Sequence, residues 1–210
     1  LQRLQLQHID IALIHDPDVA ASENRVHWKK CIEETYPVLQ ELRSDGLVKA
    51  IGAGLNKSEP LIELAEKEQF DCFLLAGRYT LLDQSGLENL LPLCESKVIS
   101  VILGVPYNSG ILASDLTSTT TYFYKHAPHN IVDRAKRIKS TCDRHGVPLK
   151  AAALQFGLAH PVVSATIPGA RSVAEVEENV KMAVLQIPND LWIDCLLYTS
   201  DAADEGLGVD

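Results

Sequence analysis

Apolar residues along this chain fall into two rhythms, short near-continuous runs and longer stretches with helical spacing, and the two alternate. The first run, Ile9-Asp10-Ile11-Ala12-Leu13-Ile14, stops at His15 in front of Asp16-Pro17-Asp18. A β-rich run closed by a Pro and Asp turn predicts a fully buried strand that carries His15 at or just beyond its C-terminal end. A mixed stretch from about Ser22 to Ser44 follows, with Val38, Leu39 and Leu42 on one helical face until Gly46 stops it. The second strand, Leu47 to Ala53, runs into Gly54-Leu55-Asn56, and Ser58 is placed to cap a helix with Pro60 in its first turn.

The unit then repeats. Asp71 to Leu75 reads as a strand and about Ser85 to Glu95 as a short helix, while Val98 to Leu103 is a fourth strand that opens into the loop Pro106-Tyr107-Asn108-Ser109-Gly110. Ala113 to His129 lacks either rhythm, and its Thr117 to Thr121 run suggests a flap. Helical spacing returns at Ile131, Val132, Ala135, Ile138 and Cys142, with His145-Gly146 as its stop. A helix at about Leu149 to Leu158, a last strand at Val162 to Ile167 and a helix from Ser172 to about Ala183 complete the pattern. Five strand-to-helix units with continuous apolar strands predict an α/β fold whose parallel sheet is covered on both faces. Either an open doubly wound sheet or part of a (β/α)8 barrel fits, since eight units need about 250 residues.

Composition narrows the chemistry. The 210 residues carry a net charge of -9, which disfavours a nucleic-acid surface built from clustered Lys and Arg. No apolar stretch approaches the roughly 20 residues of a membrane span, so no membrane partner is expected. Five cysteines with no close pair in sequence support neither a disulfide frame nor a zinc site, and a cytoplasmic setting is expected. No metal site is expected either, because His126 and His129 have no carboxylate or thiol near them in sequence. Leu1 to Gln7 has neither an initiator Met nor a signal-peptide layout, which suggests a clipped beginning.

Five loop segments carry the more specific signal: IALIHDPD, LVKAIGAGLN, FLLAGRYTLLDQ, GVPYNSGIL and ATIPGARSVAEVEENV. In this order they resemble the aldo-keto reductases, and within them the branch of aldose, pyridoxal and L-galactose dehydrogenases, over about residues 1–194. The resemblance implies a (β/α)8 TIM barrel of which this chain supplies about strands 4 to 8 with their helices, and two open sheet edges. It implies an NAD(P)-dependent dehydrogenase that oxidises an aldose of L-fucose or D-arabinose type at C1 to the lactone, with pyridoxal as an alternative substrate. A non-enzymatic nucleotide-binding subunit, or an inactive fragment, is the competing class. Residues 195–210 have no counterpart, resemble translated adapter sequence and are expected to be a disordered tail.

The family uses an Asp, Tyr, Lys and His set, and here the resemblance gives only the His a counterpart, His15. A neutral imidazole at a strand end can polarise a carbonyl beside a hydride donor. Taken alone, His15 also reads as a capped structural histidine. Asn56 matches the residue that binds the nicotinamide carboxamide, and Gly104 stands where many members stack an aromatic ring, a place Tyr107 is available to take. Asn108, Ser109 and Gly110 offer backbone N–H groups for a pyrophosphate. Gly169 permits close approach, Arg171 could contact a phosphate, and Glu178 with Asn179 match an adenine-contacting pair. Glu175 stands where NADP-preferring members often keep an Arg, so NAD is favoured over NADP. Ser172 and Glu175 equally form a capping box that needs no cofactor. Trp28 reads as packing or as a wall of a substrate pocket. The expected partner is a small sugar or aldehyde, and oligomeric state is not legible.

Overall fold

A computed structural model describes residues 1–18, 26–116, 121–123 and 125–195. These fall into two compact units: residues 1–78, 85–103 and 161–165, and residues 79–84, 104–160 and those from 166 on. The expected flap lies mostly outside the described residues, as does all of the expected tail beyond Cys195.

The first unit is built on a sheet. Strands β1 (Ile9–His15), β2 (Val48–Leu55), β3 (Cys72–Ala76) and β4 (Ser100–Gly104) lie side by side in that order, followed by β7 (Val163–Ile167). β1 pairs with β2 in parallel, and β2 with β3, so His15 sits opposite Gly54 and Leu55 opposite Leu75. The expected α/β fold with two open edges, β1 and β7, is what the chain adopts. Helices α1 (Val26–Lys30) and α2 (Tyr36–Ser44) are joined by a π-helical turn at Cys31–Thr35. They connect β1 to β2, and α3 (Ser58–Lys67) connects β2 to β3. Apolar burial concentrates where the strands have neighbours on both sides, with Ile51, Leu55, Phe73 and Leu75 fully buried. Tyr36, Phe70 and Phe73 extend that core as a chain of tilted rings 5.0 and 5.3 Å apart.

Several expectations need correction. β1 is not fully buried, because it is an edge strand and one of its faces is open: Ile11 is 46% and Leu13 36% exposed. Val98 does not start a strand. It ends α4 (Leu90–Lys97) in the left-handed conformation at φ 58° and is exposed, so β4 begins two residues later and α4 itself starts later than expected. Ser58 is the first helical residue rather than the cap, since the chain stays extended through Lys57, and its buried hydroxyl has no partner among the described residues. Val38 faces solvent, and the buried positions of that segment among the described residues are Trp28, Cys31 and Tyr36, because the π-helical turn shifts the helical phase.

The second unit is mainly helical. It contains α5 (His129–Arg144), α6 (Leu149–Gln155), α7 (Val173–Ala183) and a small antiparallel hairpin of β5 (Thr121–Tyr122) and β6 (Lys125–His126), which replaces part of the irregular stretch. α5 stops where expected, at Gly146 with φ 65°. α6 is shorter than expected because Phe156–Ala159 tightens into a 3-10 turn. Tyr79 packs on Phe156 at 5.2 Å and edge-on to His160 at 5.7 Å. Residues 189–195 are helical and meet the end of α5, where His145 and Asp194 pair at 2.8 Å. At that contact Cys142 and Cys195 share a hydrogen bond that raises the Cys142 thiol and lowers that of Cys195, so the cysteines do include one spatial pair. Among the described residues no helix is long and apolar enough to cross a membrane.

One glycine is fixed by space. A methyl group on Gly52 would stand 2.4 Å from the Cys72 carbonyl oxygen and 2.5 Å from Leu13 Cδ2, so the β3 backbone and the Leu13 side chain would both have to shift. Gly52→Ala is expected to cost about 1 to 3 kcal/mol of stability, as overpacked cores do. Urea unfolding measures this, and an unchanged midpoint would reject the close packing of β1, β2 and β3.

Candidate functional site

In the first unit the parallel register brings two of the sequence-derived candidates to the same end of the sheet. His15 is the last residue of β1, opposite Gly54, and Asn56 follows the last residue of β2. The Asp16 N–H donates to the Gly54 carbonyl at 3.0 Å, which holds the chain beyond His15 against β2. The His15 side chain is 87% exposed, with Nε2 3.7 Å from Asp16 Oδ2. It is therefore not a buried structural histidine; its imidazole is open to a ligand. Arg78 Nε donates at 2.8 Å to the backbone carbonyl of Asn56, fixing the turn after β2 while the exposed Asn56 amide makes no bond within the described residues. C-terminal strand ends are where parallel α/β proteins place chemistry.

A cavity of this unit lies elsewhere. About 490 Å³ in volume, it is lined by Arg43, Asp71, Lys97 and their neighbours at the opposite ends of the strands. Asp71 accepts from Arg43 Nη1 and from the Ile51 N–H, both at 2.7 Å, so its polar groups hold the sheet together. Trp28 is buried and donates to Glu63 at 3.0 Å, which makes it a packing residue between helices.

The remaining candidates belong to the second unit. Val105, Asn108 and Ser109 have φ of 55°, 45° and 59°, and Gly110 has 96°. Only Gly adopts this region freely, and a β-branched Val there is a marked outlier. The loop is held by successive bonds: Asn108 N–H to Val105 at 3.0 Å, Gly110 N–H to Tyr107 at 3.0 Å and Leu112 N–H to Tyr107 at 3.2 Å. Tyr107 is buried, so it does not take the place of the missing stacking ring at Gly104; its hydroxyl donates to Asn179 Oδ1 at 2.8 Å. Burial and the nearby Glu178 charge push the Tyr107 phenol up to about 12, so it stays a donor at neutral pH. Asn179 in turn donates to the Gly169 carbonyl at 3.5 Å. Its amide thus ties the Tyr107 loop to the turn before α7, a structural use that the adenine-contact expectation did not include.

That turn has its own geometry. Ser172 is the cap of α7 and accepts from the Glu175 N–H at 3.2 Å. Glu175 reaches one residue further back than an ideal capping box, accepting from the Arg171 N–H at 2.6 Å. That backbone bond, with the Arg171 charge, holds the Glu175 carboxyl below the usual range. The Arg171 guanidinium is 91% exposed and lies 3.4 Å from Glu175. A methyl group built on Gly169 or Gly110 would meet nothing within 4 Å. The N–H groups of Ser109, Gly169 and Ala170 have no acceptor among the described residues. Open backbone donors on glycine-bearing turns suit a phosphate group, so these residues fit the nucleotide that the loops imply. Lys150 was not anticipated from the sequence. It pairs with Glu178, and its ammonium lies 5.8 Å from the centre of the Tyr107 ring. A cation in the alanine-rich helix 149–155 was the available signal.

Comparison with known proteins agrees with the loop order. The model of the Aldo/keto reductase family matches residues 1–194. Pyridoxal 4-dehydrogenase of Microbacterium luteolum is 36% identical over 194 residues, covering 91% of this chain and 57% of its own length. D-threo-aldose 1-dehydrogenase of a Pseudomonas species is 34% identical, covering 92% and 57%. The chain thus spans somewhat more than half the length of these relatives. An aldo-keto reductase from Bacillus halodurans in its apo form matches in fold, with a TM-score of 0.74 at 23% identity, over 94% of this chain and 64% of that one. On the family match over residues 1–194 and the identity of 36% and 34% to these two relatives, the chain belongs to the aldo/keto reductase family.

Proposed function

We propose that the protein is an NAD-dependent dehydrogenase that oxidises an aldose at C1 to the lactone. The observation that carries this reading is identity above one third, over 194 residues, to a pyridoxal and an aldose dehydrogenase. NAD supplies the hydride acceptor. With the cofactor bound, the anomeric C–H would give up hydride to it and the anomeric hydroxyl would pass its proton to a general base, a role that the family gives to a Tyr with no counterpart among these residues, so that the ring carbon becomes the lactone carbonyl. The open His15 imidazole hydrogen-bonds the anomeric oxygen as negative charge develops there. Asn56 offers an exposed amide with both donor and acceptor, as a carboxamide requires. The open N–H groups of Ser109, Gly169 and Ala170 are donors for phosphate oxygens.

Preference for NAD is supported by Glu175. Its carboxyl is held below the usual range by the Arg171 backbone and charge, so at neutral pH it is an anion that repels a 2′-phosphate. Glu175→Gln is expected to improve NADP affinity relative to NAD by about two- to fivefold, the scale of one exposed charge interaction. Calorimetric titration with both dinucleotides measures this, and an unchanged ratio would remove Glu175 from cofactor choice.

Aldehyde and sugar substrates are separated by following NADH absorbance in the complete enzyme, which supplies the catalytic partners without a counterpart among these residues, with L-fucose, D-arabinose, L-galactose and pyridoxal. Turnover of an aldose supports the proposal, turnover of pyridoxal alone moves the assignment to that substrate, and dinucleotide binding with no turnover favours a non-enzymatic subunit. His15→Ala should lower kcat/KM by about 100- to 1,000-fold, the usual effect of removing a donor to a developing oxyanion. A loss under threefold would exclude His15 from the reaction.

A further inference from the structure

Asp18 lies three residues beyond His15, and its carboxylate reaches across to the neighbouring strand end, where Oδ2 accepts from Lys57 Nζ at 2.8 Å. Lys57 directly follows Asn56 and is extended, with φ of -139°, so the pair ties the turn that carries His15 to the turn that carries Asn56. The partners differ in setting: the Lys57 side chain is 54% exposed, whereas that of Asp18 is only 10% exposed. The second oxygen of Asp18, Oδ1, is buried and has no hydrogen-bond partner among the described residues. A buried acceptor without a donor is costly, the more so when it is charged. The bond from the Asp16 N–H to Gly54 already holds this turn against β2, so docking of the turn does not account for an oxygen left without a donor.

We infer that Asp18 is a substrate-binding residue whose Oδ1 accepts from the hydroxyl next to the anomeric carbon, so that the site selects aldoses with a C2 hydroxyl over those without one. This rests on the aldose reading above, in which His15 takes the anomeric oxygen. Three residues of chain span at most about 10 Å, so the His15 and Asp18 side chains can converge on adjoining oxygens of one sugar. A carboxylate only accepts hydrogen bonds, and a sugar hydroxyl is a donor that matches it. Lys57 holds Oδ2, which keeps Oδ1 from rotating away, and supplies the counter-charge that a carboxylate so far removed from water requires. A site built around such an acceptor rejects the analogue that lacks the hydroxyl, because the buried oxygen is then left unpaired.

The test compares kcat/KM of the complete enzyme for D-arabinose and 2-deoxy-D-ribose, which differ only in the C2 hydroxyl, before and after substitution of Asp18. The parent should favour D-arabinose by about tenfold or more, the scale of one hydrogen bond to a charged group. Asp18→Ala removes the acceptor and should bring the two sugars within about twofold of each other, chiefly by slowing D-arabinose. Asp18→Asn keeps the shape, exchanges the charged acceptor for an amide and should cut the preference by about threefold or more, which serves where the alanine variant does not fold. Any difference in intrinsic reactivity between the sugars is common to parent and variants and cancels in the ratio. Equal losses on both sugars, or a preference unchanged in both variants, would make Asp18 an anchor of the turn only and overturn the inference. Equal turnover of the two sugars by the parent would overturn it while leaving the aldose reading intact. Turnover of no aldose would reject that reading, and this inference with it.

Discussion

Parallel pairing of β1 with β2 is the constraint on which the first unit depends, because it sets where both of that unit's candidate residues emerge. A parallel ladder ends its strands on a common side, and with His15 opposite Gly54 the chain leaves the sheet at Asp16 after β1 and, one residue further along the register, at Asn56 after β2. A slip of one residue would turn His15 to the other face and send Ile14 in its place. Gly52 helps to forbid that slip. The strands approach so closely around it that no other side chain fits between Leu13 and Cys72. Chemistry at one end of the sheet is thus tied to packing in its middle.

The second unit solves a different problem, that of holding two turns in fixed shapes beside an apolar core that includes Ile111, Leu112 and Ala151. Its answer is a line of polar bonds that runs from the Tyr107 loop through Asn179 to the Gly169 carbonyl, with Lys150 bearing on the Tyr107 ring and on Glu178. Removing a buried member of such a line leaves its neighbour unsatisfied, which is costlier than losing the bond alone. Each bond here therefore supports residues beyond the two that make it.

Strand and helix order was legible because apolar runs and helical periodicity are local properties, as with β2, β3 and α7. What failed was whatever depended on neighbours. The apolar content of β1 could not reveal that it lies at an edge, and Val98 looks like a strand residue until the left-handed end of α4 claims it. Ser58 missed its capping role by a single residue, a shift that propensity does not resolve. In the site, loop order pointed to His15, Asn56 and the turns around Ser109 and Gly169. Lys150 stayed hidden because its partners Glu178 and Tyr107 are 28 and 43 residues away, and no local pattern joins them. Asn179 was noticed for its position, while its bonds to Tyr107 and Gly169 come to light only in the fold.

The left-handed residues Val105, Asn108 and Ser109 have a thermodynamic consequence beyond their local cost of about 1 to 3 kcal/mol each. An unbound loop free to sample the ordinary regions would lose that freedom on meeting a ligand, and the affinity would fall by the same amount. Here the surrounding bonds have already selected one shape, so the ordering entropy is lost when the chain folds and not when a ligand arrives. Stability of the folded chain and tightness of its grip on a ligand are thereby set against each other at the same three residues.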